Sequence, residues 1–379
     1  MMNPMLSITL SALLMAVPGH ELDHDDLTPL VEKCVELLLE RQEALDGHKV
    51  LGEWPYEGVY RERGNIPPGY RVGGTAIAAW ALLETSQYAA SEEVRQAVER
   101  ALDFILDELR EKAMGIGFSN SYDVRGWGHT YALQFLLELR GKDLVAKKHK
   151  RALNKRVSWL VKALEETAIE KTGGWNYARR GTAPAASPFM TAPTLIALWE
   201  ARRQGEKVDS RVLEEALDSL EKCRTDEGAI AYSSSQAMPK LPGSIARTPI
   251  VEAVLYAADR SSLEDVEVAV EAFFEHWNEL EVRRKKNGTH VAPYGVAPYY
   301  FFYGHYYASV AIELLPEGTR KKWRTRYLDT LLSVREESGA FNDRVFPRSA
   351  AFGTSMALLS MLEPGRPRPS ASKKAARSR

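Results

Sequence analysis

Residues 173–201, GGWNYARRGTAPAASPFMTAPTLIALWEA, combine a glycine-aromatic turn with an apolar helical segment. Gly173 and Gly174 follow a predicted amphipathic helix, and glycine readily adopts the positive φ angles on which many helices end. Trp175 comes next, and the segment from Phe189 onwards is apolar on nearly all sides, which is typical of a buried helix. The stretch therefore predicts a hairpin of one outer and one inner helix.

The same order of amphipathic helix, glycine-aromatic turn and apolar helix occurs six times along the 379 residues. The predicted first helices begin near residues 31, 94, 153, 212, 265 and 321. The turns read GEWPYEG, GIGFSNS, GGWNYAR, GAIAYSS, NGTHVAPYG and GAFNDRV. A repeat of this kind indicates that each unit buries its apolar face against its neighbours.

The two terminal units are as apolar as the middle ones. Unit one contains AIAAWALLE and unit six contains TSMALLSML, whereas an open solenoid needs polar caps at its ends. The pattern therefore favours a closed ring. We predict an all-α fold over residues 28–364, an (α/α)6 toroid of six helical hairpins with an inner and an outer ring of helices.

The two ends of the chain differ from the repeats. Leu6 to Val17 is an apolar run of signal-peptide length, so residues 1–19 are predicted to be a signal peptide that directs export to the periplasm or medium. The alternative is a packed N-terminal helix on a cytoplasmic protein. Residues 365–379 carry six basic residues and no large apolar ones, which predicts a disordered basic tail. No other stretch is long and apolar enough to span a membrane.

Bulk charge and cysteine content narrow the function classes. The formal net charge is -1, and the basic residues of the tail leave the body mildly acidic, so no nucleic-acid surface is predicted. Cys34 and Cys223 fall in predicted amphipathic helices, which indicates buried free thiols. Neither a Cys-x-x-Cys nor a His-x-x-x-His pattern occurs near the entrances of the inner helices, so no metal and no cofactor are predicted, and the oligomeric state stays open.

In a closed ring, all inner helices enter from the same face, and their first turns should line one opening. The residues predicted to bind a ligand there are Trp127, His129, Arg247, Tyr303, His305 and Thr354. Serine or threonine recurs at five of the six entrances, for which helix capping is the alternative explanation. His129 and His305 belong to units two and five, so we expect them to face each other across the opening. The alternative for both histidines is that each is a hydrogen-bonded residue of the core.

The catalytic candidates are those two histidines and two carboxylates of the rim. Asp123 lies in SYDVRGW and Asp343 in FNDRVFPR, both in loops that lead into inner helices. Either would serve as a general acid or base only if its environment moved its pKa toward neutrality. The alternative for each is a salt bridge with the arginine beside it. The two histidines are too far apart across an opening to share a zinc ion.

Several of these segments resemble the squalene cyclase and prenyltransferase superfamily of α/α toroids, of the bacterial single-toroid type. They are GGWNYARRG with MTAPTLIALWEA, YFFYGHYYASVAIELL, and GAFNDR with FGTSMALLSML. The resemblance covers about residues 28–364 and implies the toroid fold. It carries over no site: the cyclase acid motif should open an inner helix, whereas DHDD at 23–26 precedes an outer one. Cys223, in an outer helix, does not match the zinc site of the prenyltransferase β-subunits.

The aromatic run of unit five, Tyr299 to Tyr307, supplies a wall for a central cavity. We therefore predict binding of an isoprenoid or other amphipathic ligand in an aromatic-lined cavity, with catalysis left open. The first alternative is a carbohydrate-active (α/α)6 hydrolase or lyase acting on a glycan, which as a hydrolase needs two carboxylates about 5 to 9.5 Å apart. The second alternative is a non-catalytic protein-interaction scaffold.

Overall fold

The computed structural model describes residues 26–44, 52–62, 64–117, 124–177, 185–234, 240–366 and 370. Within these ranges the chain forms fourteen α-helices and no β-strand. The predicted signal peptide, Asp123 and nearly all of the basic tail lie outside the described residues. None of the described helices has the length and apolar character that a membrane span requires.

Twelve long helices alternate between an outer and an inner layer. The outer helices are α1 (Thr28–Glu40), α4 (Glu92–Glu108), α6 (Lys150–Thr167), α8 (Ser210–Lys222), α10 (Leu263–Glu275) and α13 (Glu317–Leu332). The inner helices are α2 (Pro68–Leu83), α5 (Arg125–Gly141), α7 (Pro188–Arg203), α9 (Thr248–Ala257), α12 (Tyr300–Leu314) and α14 (Ala350–Leu362). Two short helices, α3 (Ser86–Ala90) and α11 (Asn278–Glu281), follow an inner and an outer helix.

The inner helices form a closed ring. Each packs against the next, from α2 to α5, α7, α9, α12 and α14, and α14 packs back against α2. Helix α14 also contacts the outer helix α1, so the last unit closes against the first. The predicted (α/α)6 toroid is confirmed, and the open solenoid is ruled out.

Burial separates the two layers as the sequence predicts. All fifteen residues of α12 are buried, whereas α8 buries only one stripe, formed by Val212, Leu213, Ala216, Leu217, Ser219 and Leu220. A helix with neighbours on every side is mostly apolar, because each charged residue that it buries needs a partner. Burying one leucine or phenylalanine side chain contributes about 1.5–3 kcal/mol, so the inner ring forms the centre of the core.

The glycine-aromatic turn links the two helices of its own unit. The Trp175 indole Nε1 donates to the carbonyl of Leu164 in α6 at 2.7 Å, and its backbone N–H donates to the Thr191 hydroxyl in α7 at 3.0 Å. Trp54 repeats this arrangement with Leu38 and Thr75. Gly174 has φ 73°, and an added Cβ would lie 2.7 Å from the Thr191 hydroxyl, so both backbone conformation and space require glycine.

Aromatic side chains fill the middle of the ring. The hydroxyls of Tyr131 in α5 and Tyr307 in α12 are 3.1 Å apart, and both residues are almost fully buried. The rings of Tyr303 and Tyr306 pack on Tyr307 with centroids 4.6 and 4.7 Å away. Units two and five therefore meet across the ring, as predicted for opposite units, but through tyrosines.

Arg366 lies among carboxylates at the ends of the inner helices. Its guanidinium lies 4.4 Å from the Trp80 ring centroid and forms ion pairs with Glu363 (3.0 Å), Glu138 (3.1 Å) and Glu84 (3.7 Å). The sequence placed Arg366 in the disordered tail, but its side chain is only 9% exposed. Buried carboxylates need a cation, and this charge balance holds the residue in the fold.

Three smaller predictions concern single residues. Cys34 and Cys223 are buried free thiols, as predicted, and burial raises the pKa of Cys34 to about 12 and that of Cys223 to about 11. Asp26, the last residue of DHDD, accepts a hydrogen bond from the Thr28 backbone N–H at 3.0 Å. It therefore bonds to the first residue of α1, one position before the N-cap residue Leu27.

Candidate functional site

A pocket of about 410 Å³ opens where the inner helices begin. Five of the six inner helices place an aromatic residue of their first turn on its wall: Tyr70, Trp127, Phe189, Tyr303 and Phe352. The segments that precede the inner helices, including the one before α9, add Tyr56, Tyr60, Tyr177, Tyr232 and Tyr299. The prediction that the first turns line one opening holds for five inner helices, whereas the pocket lining includes no residue from the first turn of α9. This volume falls within the range of small-molecule sites.

Several tyrosine hydroxyls of the pocket wall are hydrogen-bonded to other groups of the protein. The Tyr299 hydroxyl bonds to the Tyr232 hydroxyl (2.9 Å) and to His290 Nε2 (3.0 Å). The Tyr303 hydroxyl donates to the Phe189 carbonyl at 3.2 Å. That carbonyl is available because the residue four positions later, Pro193, has no N–H to donate within α7. These rings therefore offer the pocket mainly their apolar faces.

The pocket wall carries a cation but, among the described residues that line it, no carboxylate. The cation is Arg344, whose side chain is 1% exposed. Asp343 lies behind the wall and is fully buried, where its Oδ2 accepts a hydrogen bond from the Tyr56 hydroxyl at 3.2 Å. Burial raises the pKa of Asp343 to about 7, against the opposing effect of Arg344. The expected salt bridge is absent, since no ion pair within 4.0 Å joins these two described neighbours.

The two histidines face away from the pocket, toward the outer layer. His129 Nε2 donates to the Met114 carbonyl at 2.9 Å, and burial lowers its pKa to about 4. His305 accepts the indole N–H of Trp277 on Nε2 at 2.9 Å and donates from Nδ1 to the Phe301 carbonyl at 2.7 Å. Both ring nitrogens of His305 are thus satisfied in the neutral form, and burial lowers its pKa to about 4.

The expectation that His129 and His305 face each other across the opening is therefore wrong. Each occupies the core position that the sequence offered as the alternative. The residue two positions earlier, Trp127 or Tyr303, lines the pocket instead. Two residues correspond to about 200° around an α-helix, so the two side chains project from opposite faces.

Thr354 and Arg247 also lie behind the wall. The Thr354 hydroxyl accepts a hydrogen bond from the Phe341 backbone N–H at 3.1 Å. The Arg247 guanidinium donates to the carbonyls of Ile230 and Gly243, both at 2.8 Å. It also lies 5.8 Å from the Phe189 ring centroid, so it supports the wall without lining the pocket.

The six repeats share one equivalent position near the start of the inner helix. In every unit the side chain at this position bonds to the segment that precedes the helix: Thr75, His129, Thr191, Arg247, His305 and Thr354. Helix capping does not explain the threonines, since none of the six inner helices has a side-chain hydrogen bond at its N-cap. Thr75 is the eighth residue of α2, well inside the helix.

The sequence analysis missed Tyr70, Phe189 and Phe352 on the pocket wall. A signal for two of them was present, because Phe189 and Phe352 stand two residues before Thr191 and Thr354, as Trp127 stands before His129. Units one and four depart from this pattern, and unit four has Ile245 at this position, which does not line the pocket. Unit one has Gly73 at that position, where an added Cβ would lie 2.3 Å from the Trp127 ring.

No metal site emerges from the part of the chain that the structure describes. No group of three or more histidine, cysteine, aspartate or glutamate side chains there is arranged to hold an ion. Asp123, the remaining catalytic candidate, lies outside the described residues. Of the eight candidate residues, Trp127 and Tyr303 line the pocket, and Asp343 lies directly behind the Tyr56 side chain.

Comparison with known proteins gives structural matches but no sequence matches. No family model matches the chain, and neither does any curated protein sequence. Three solved structures illustrate the structural likeness, and each covers about nine-tenths of this chain.

The first is a variant of the α-1,6-mannanase GH76A of Salegentibacter sp. HEL1_6 in complex with α-1,6-mannotriose (13% identity, TM-score 0.58, 89% of this chain and 100% of that one). The second is the type II terpene cyclase MstE from Scytonema with geranylgeranyl dihydroxybenzoate (13% identity, TM-score 0.54, 90% of this chain and 97% of that one). The third is cellobiose 2-epimerase from Bacillus thermoamylovorans B4167 (12% identity, TM-score 0.55, 90% of this chain and 98% of that one). At these identities the likeness shows a shared toroid fold, carried by terpenoid-active and carbohydrate-active enzymes alike.

Proposed function

We propose that this protein binds an amphipathic small molecule, such as an isoprenoid, in the pocket at the entrance of the toroid. The observation that carries the proposal is the aromatic wall, to which five inner helices each contribute a ring. Aromatic rings bury large apolar areas and hold a ligand body without specific polar contacts. The type II terpene cyclase with the same fold was solved with geranylgeranyl dihydroxybenzoate, an amphipathic molecule of this general kind.

The polar side chains of the wall are bonded within the protein, which favours a ligand with an apolar body. The Asn176 side chain donates from Nδ2 to the Ala185 carbonyl at 2.6 Å and accepts the Tyr177 backbone N–H on Oδ1 at 2.7 Å. His290 Nε2 is bonded to the Tyr299 hydroxyl. A sugar needs hydrogen-bonding partners for several hydroxyls, and these groups already have partners within the protein.

A glycan is the second candidate, favoured by the suitability of aromatic faces for stacking on sugar rings. Glycoside hydrolysis, however, needs two carboxylates beside the substrate. Asp343 has no exposed surface, and the described lining residues include no aspartate or glutamate. The hydrolase form of this alternative therefore lacks its two carboxylates among the described residues that line the pocket.

The test is calorimetric titration of the purified protein with farnesol and with α-1,6-mannotriose. Ala185 lies on the wall, so Ala185→Trp fills the pocket without removing an aromatic contact. Val268→Trp adds the same bulk on the outer helix α10, at a side chain 55% exposed, and serves as the control. We expect farnesol to bind the wild type and Val268→Trp, and Ala185→Trp to lose at least about tenfold in affinity.

Two outcomes would contradict the proposal. Binding of mannotriose but not farnesol would indicate the carbohydrate alternative. Failure of both probes to bind, with Ala185→Trp indistinguishable from the wild type, would leave the pocket without a ligand-binding role and would favour the interaction scaffold.

A further inference from the structure

Arg344 is a buried arginine whose hydrogen-bonding capacity is largely unused. It lies on the pocket wall and is 1% exposed. Its Nη2 donates to the Gly288 carbonyl at 3.3 Å, and its guanidinium carbon lies 5.9 Å from the Phe346 ring centroid. Its Nε has no hydrogen-bond partner, although a guanidinium offers five donors.

The other deeply buried arginines of the described chain are compensated. Arg71 pairs with Glu53 at 2.8 Å and with Glu108 at 3.6 Å. Arg366 has three carboxylate partners, and Arg247 donates to three backbone carbonyls. Arg344 has neither arrangement, since no ion pair within 4.0 Å links it to any described carboxylate.

The preceding residue, Asp343, is a candidate counter-charge because Arg344 influences its pKa, but the two side chains form no ion pair. Its Oδ2 accepts from the Tyr56 hydroxyl, and its Oδ1 has no hydrogen-bond partner. Burial raises the pKa of this carboxyl to about 7, so near neutral pH a large fraction of it carries no charge. The Arg344 charge is thus only partly balanced from within the fold.

A buried charge without a partner destabilises a protein unless something neutralises it. Here the charge borders a pocket whose described wall is mostly aromatic and carries no carboxylate. A guanidinium binds planar anionic oxygens through paired N–H donors. We propose that the ligand of this pocket carries an anionic head group, a carboxylate or a phosphate, which binds Arg344 while its apolar body packs against the aromatic wall. This inference rests on the proposed function and specifies the ligand class.

The experiment uses three probes that share one aromatic body: neutral 2-naphthol, 2-naphthoate and 2-naphthyl phosphate. Each is titrated by calorimetry at pH 7 into the wild type, Arg344→Gln and Arg344→Lys. We expect at least one anion to bind the wild type about tenfold or more tightly than 2-naphthol, because a charged hydrogen bond has that effect. Arg344→Gln should abolish this preference, and Arg344→Lys should retain most of it. Comparison of the two anions identifies the head group.

Arg61→Gln is the matched control. Arg61 also lies over the Phe346 ring, at 5.4 Å, but it is paired with Glu57 at 2.8 Å, so its removal should leave the anion preference unchanged. Equal affinity of all three probes for the wild type, or an anion preference that survives Arg344→Gln, would overturn the inference while leaving the proposed function intact. Failure of 2-naphthol and both anions to bind the wild type would count against the pocket itself.

Discussion

Trp127 and His129 stand two residues apart in the first turns of α5 and project to opposite sides of the helix. The Trp127 ring lines the pocket, whereas His129 Nε2 donates to the Met114 carbonyl outside the inner ring. Tyr303 and His305 repeat this relationship in α12, where His305 Nε2 accepts from the Trp277 indole. One residue of each pair forms the wall, and the other fastens the helix to the segment before it.

This division predicts different effects for substitutions two residues apart. Trp127→Leu should weaken binding of farnesol by about tenfold, because it removes one aromatic face from the wall. His129→Leu should change that affinity by less than about twofold but lower the free energy of unfolding by about 1–3 kcal/mol, since the Met114 carbonyl loses its donor. Calorimetry and urea denaturation measure the two quantities. The reverse pattern would place His129, and not Trp127, at the ligand.

The threonine at the equivalent position of the repeats should stabilise the turn before it. Thr191→Val keeps the side-chain shape but leaves the buried Trp175 N–H without an acceptor, so we expect the free energy of unfolding to fall by about 1–3 kcal/mol. Thr330→Val, on the outer helix α13 where the hydroxyl bonds only within its own helix, is the control and should cost less than about 1 kcal/mol. Equal losses in the two variants would show that the Thr191 hydrogen bond contributes nothing particular.

Asp343 should make the protein less stable as pH rises toward neutrality. Its pKa is about 7 in the folded state, against 3.8 for the unperturbed group. Between about pH 4 and 7 the folded protein therefore holds a proton that the unfolded chain has released, and stability falls as pH increases. Asp343→Asn removes this effect, so the variant should gain free energy of unfolding relative to the wild type between pH 5 and 8.

The two buried histidines make stability rise with pH over the same pH range. The effect of Asp343 is therefore measured as the difference between the wild type and the variant. His129 and His305 have pKa values of about 4 in the fold, below the usual 6.5, so stability is lost as pH falls from 6.5 toward 4. Both contributions are present in the wild type and in Asp343→Asn and cancel in the difference. A difference that does not change with pH would contradict the assignment to Asp343.

Arg366 should be essential for the stability of the toroid even though it stands at the start of the basic tail. Arg366→Gln removes the cation from the buried Glu363 and the half-buried Glu138, whereas Glu84 keeps its ion pair with Lys142 at 2.8 Å. We expect a loss of about 3 kcal/mol at pH 8. The loss should be smaller at pH 5, because burial raises the pKa of Glu363 to about 7 and the group then becomes neutral. Arg211→Gln, at a side chain 75% exposed, should change the free energy of unfolding by less than about 0.5 kcal/mol. Equal losses in the two arginine variants would refute the role of Arg366.

The repeat pattern was sufficient to predict the fold. The alternation of amphipathic and apolar helices placed the start of each outer helix within four residues of its observed position. The apolar character of units one and six predicted closure, which the contact between α14 and α2 confirms. These features depend on local periodicity and on burial, and both are written directly in the order of apolar and polar residues.

The site was predicted only as a region. The entrance of the inner helices was identified correctly, and Trp127 and Tyr303 were among its candidates, but His129, Arg247, His305 and Thr354 proved to bond behind the wall. The sequence marks which residues stand at a helix start, yet a residue type does not reveal which side of the helix it occupies. Arg344 illustrates the same limit, because its lack of a partner depends on residues distant in sequence.

The sequence by itself thus determined six helical hairpins, their alternation of layers and their closure into a ring, because apolar periodicity fixes which helices must be buried. Only the tertiary structure decided which face of each inner helix meets the pocket and which meets the preceding turn. The physical reason is angular: two residues correspond to about 200° of helix rotation, and the orientation of a helix is set by the neighbours packed around it.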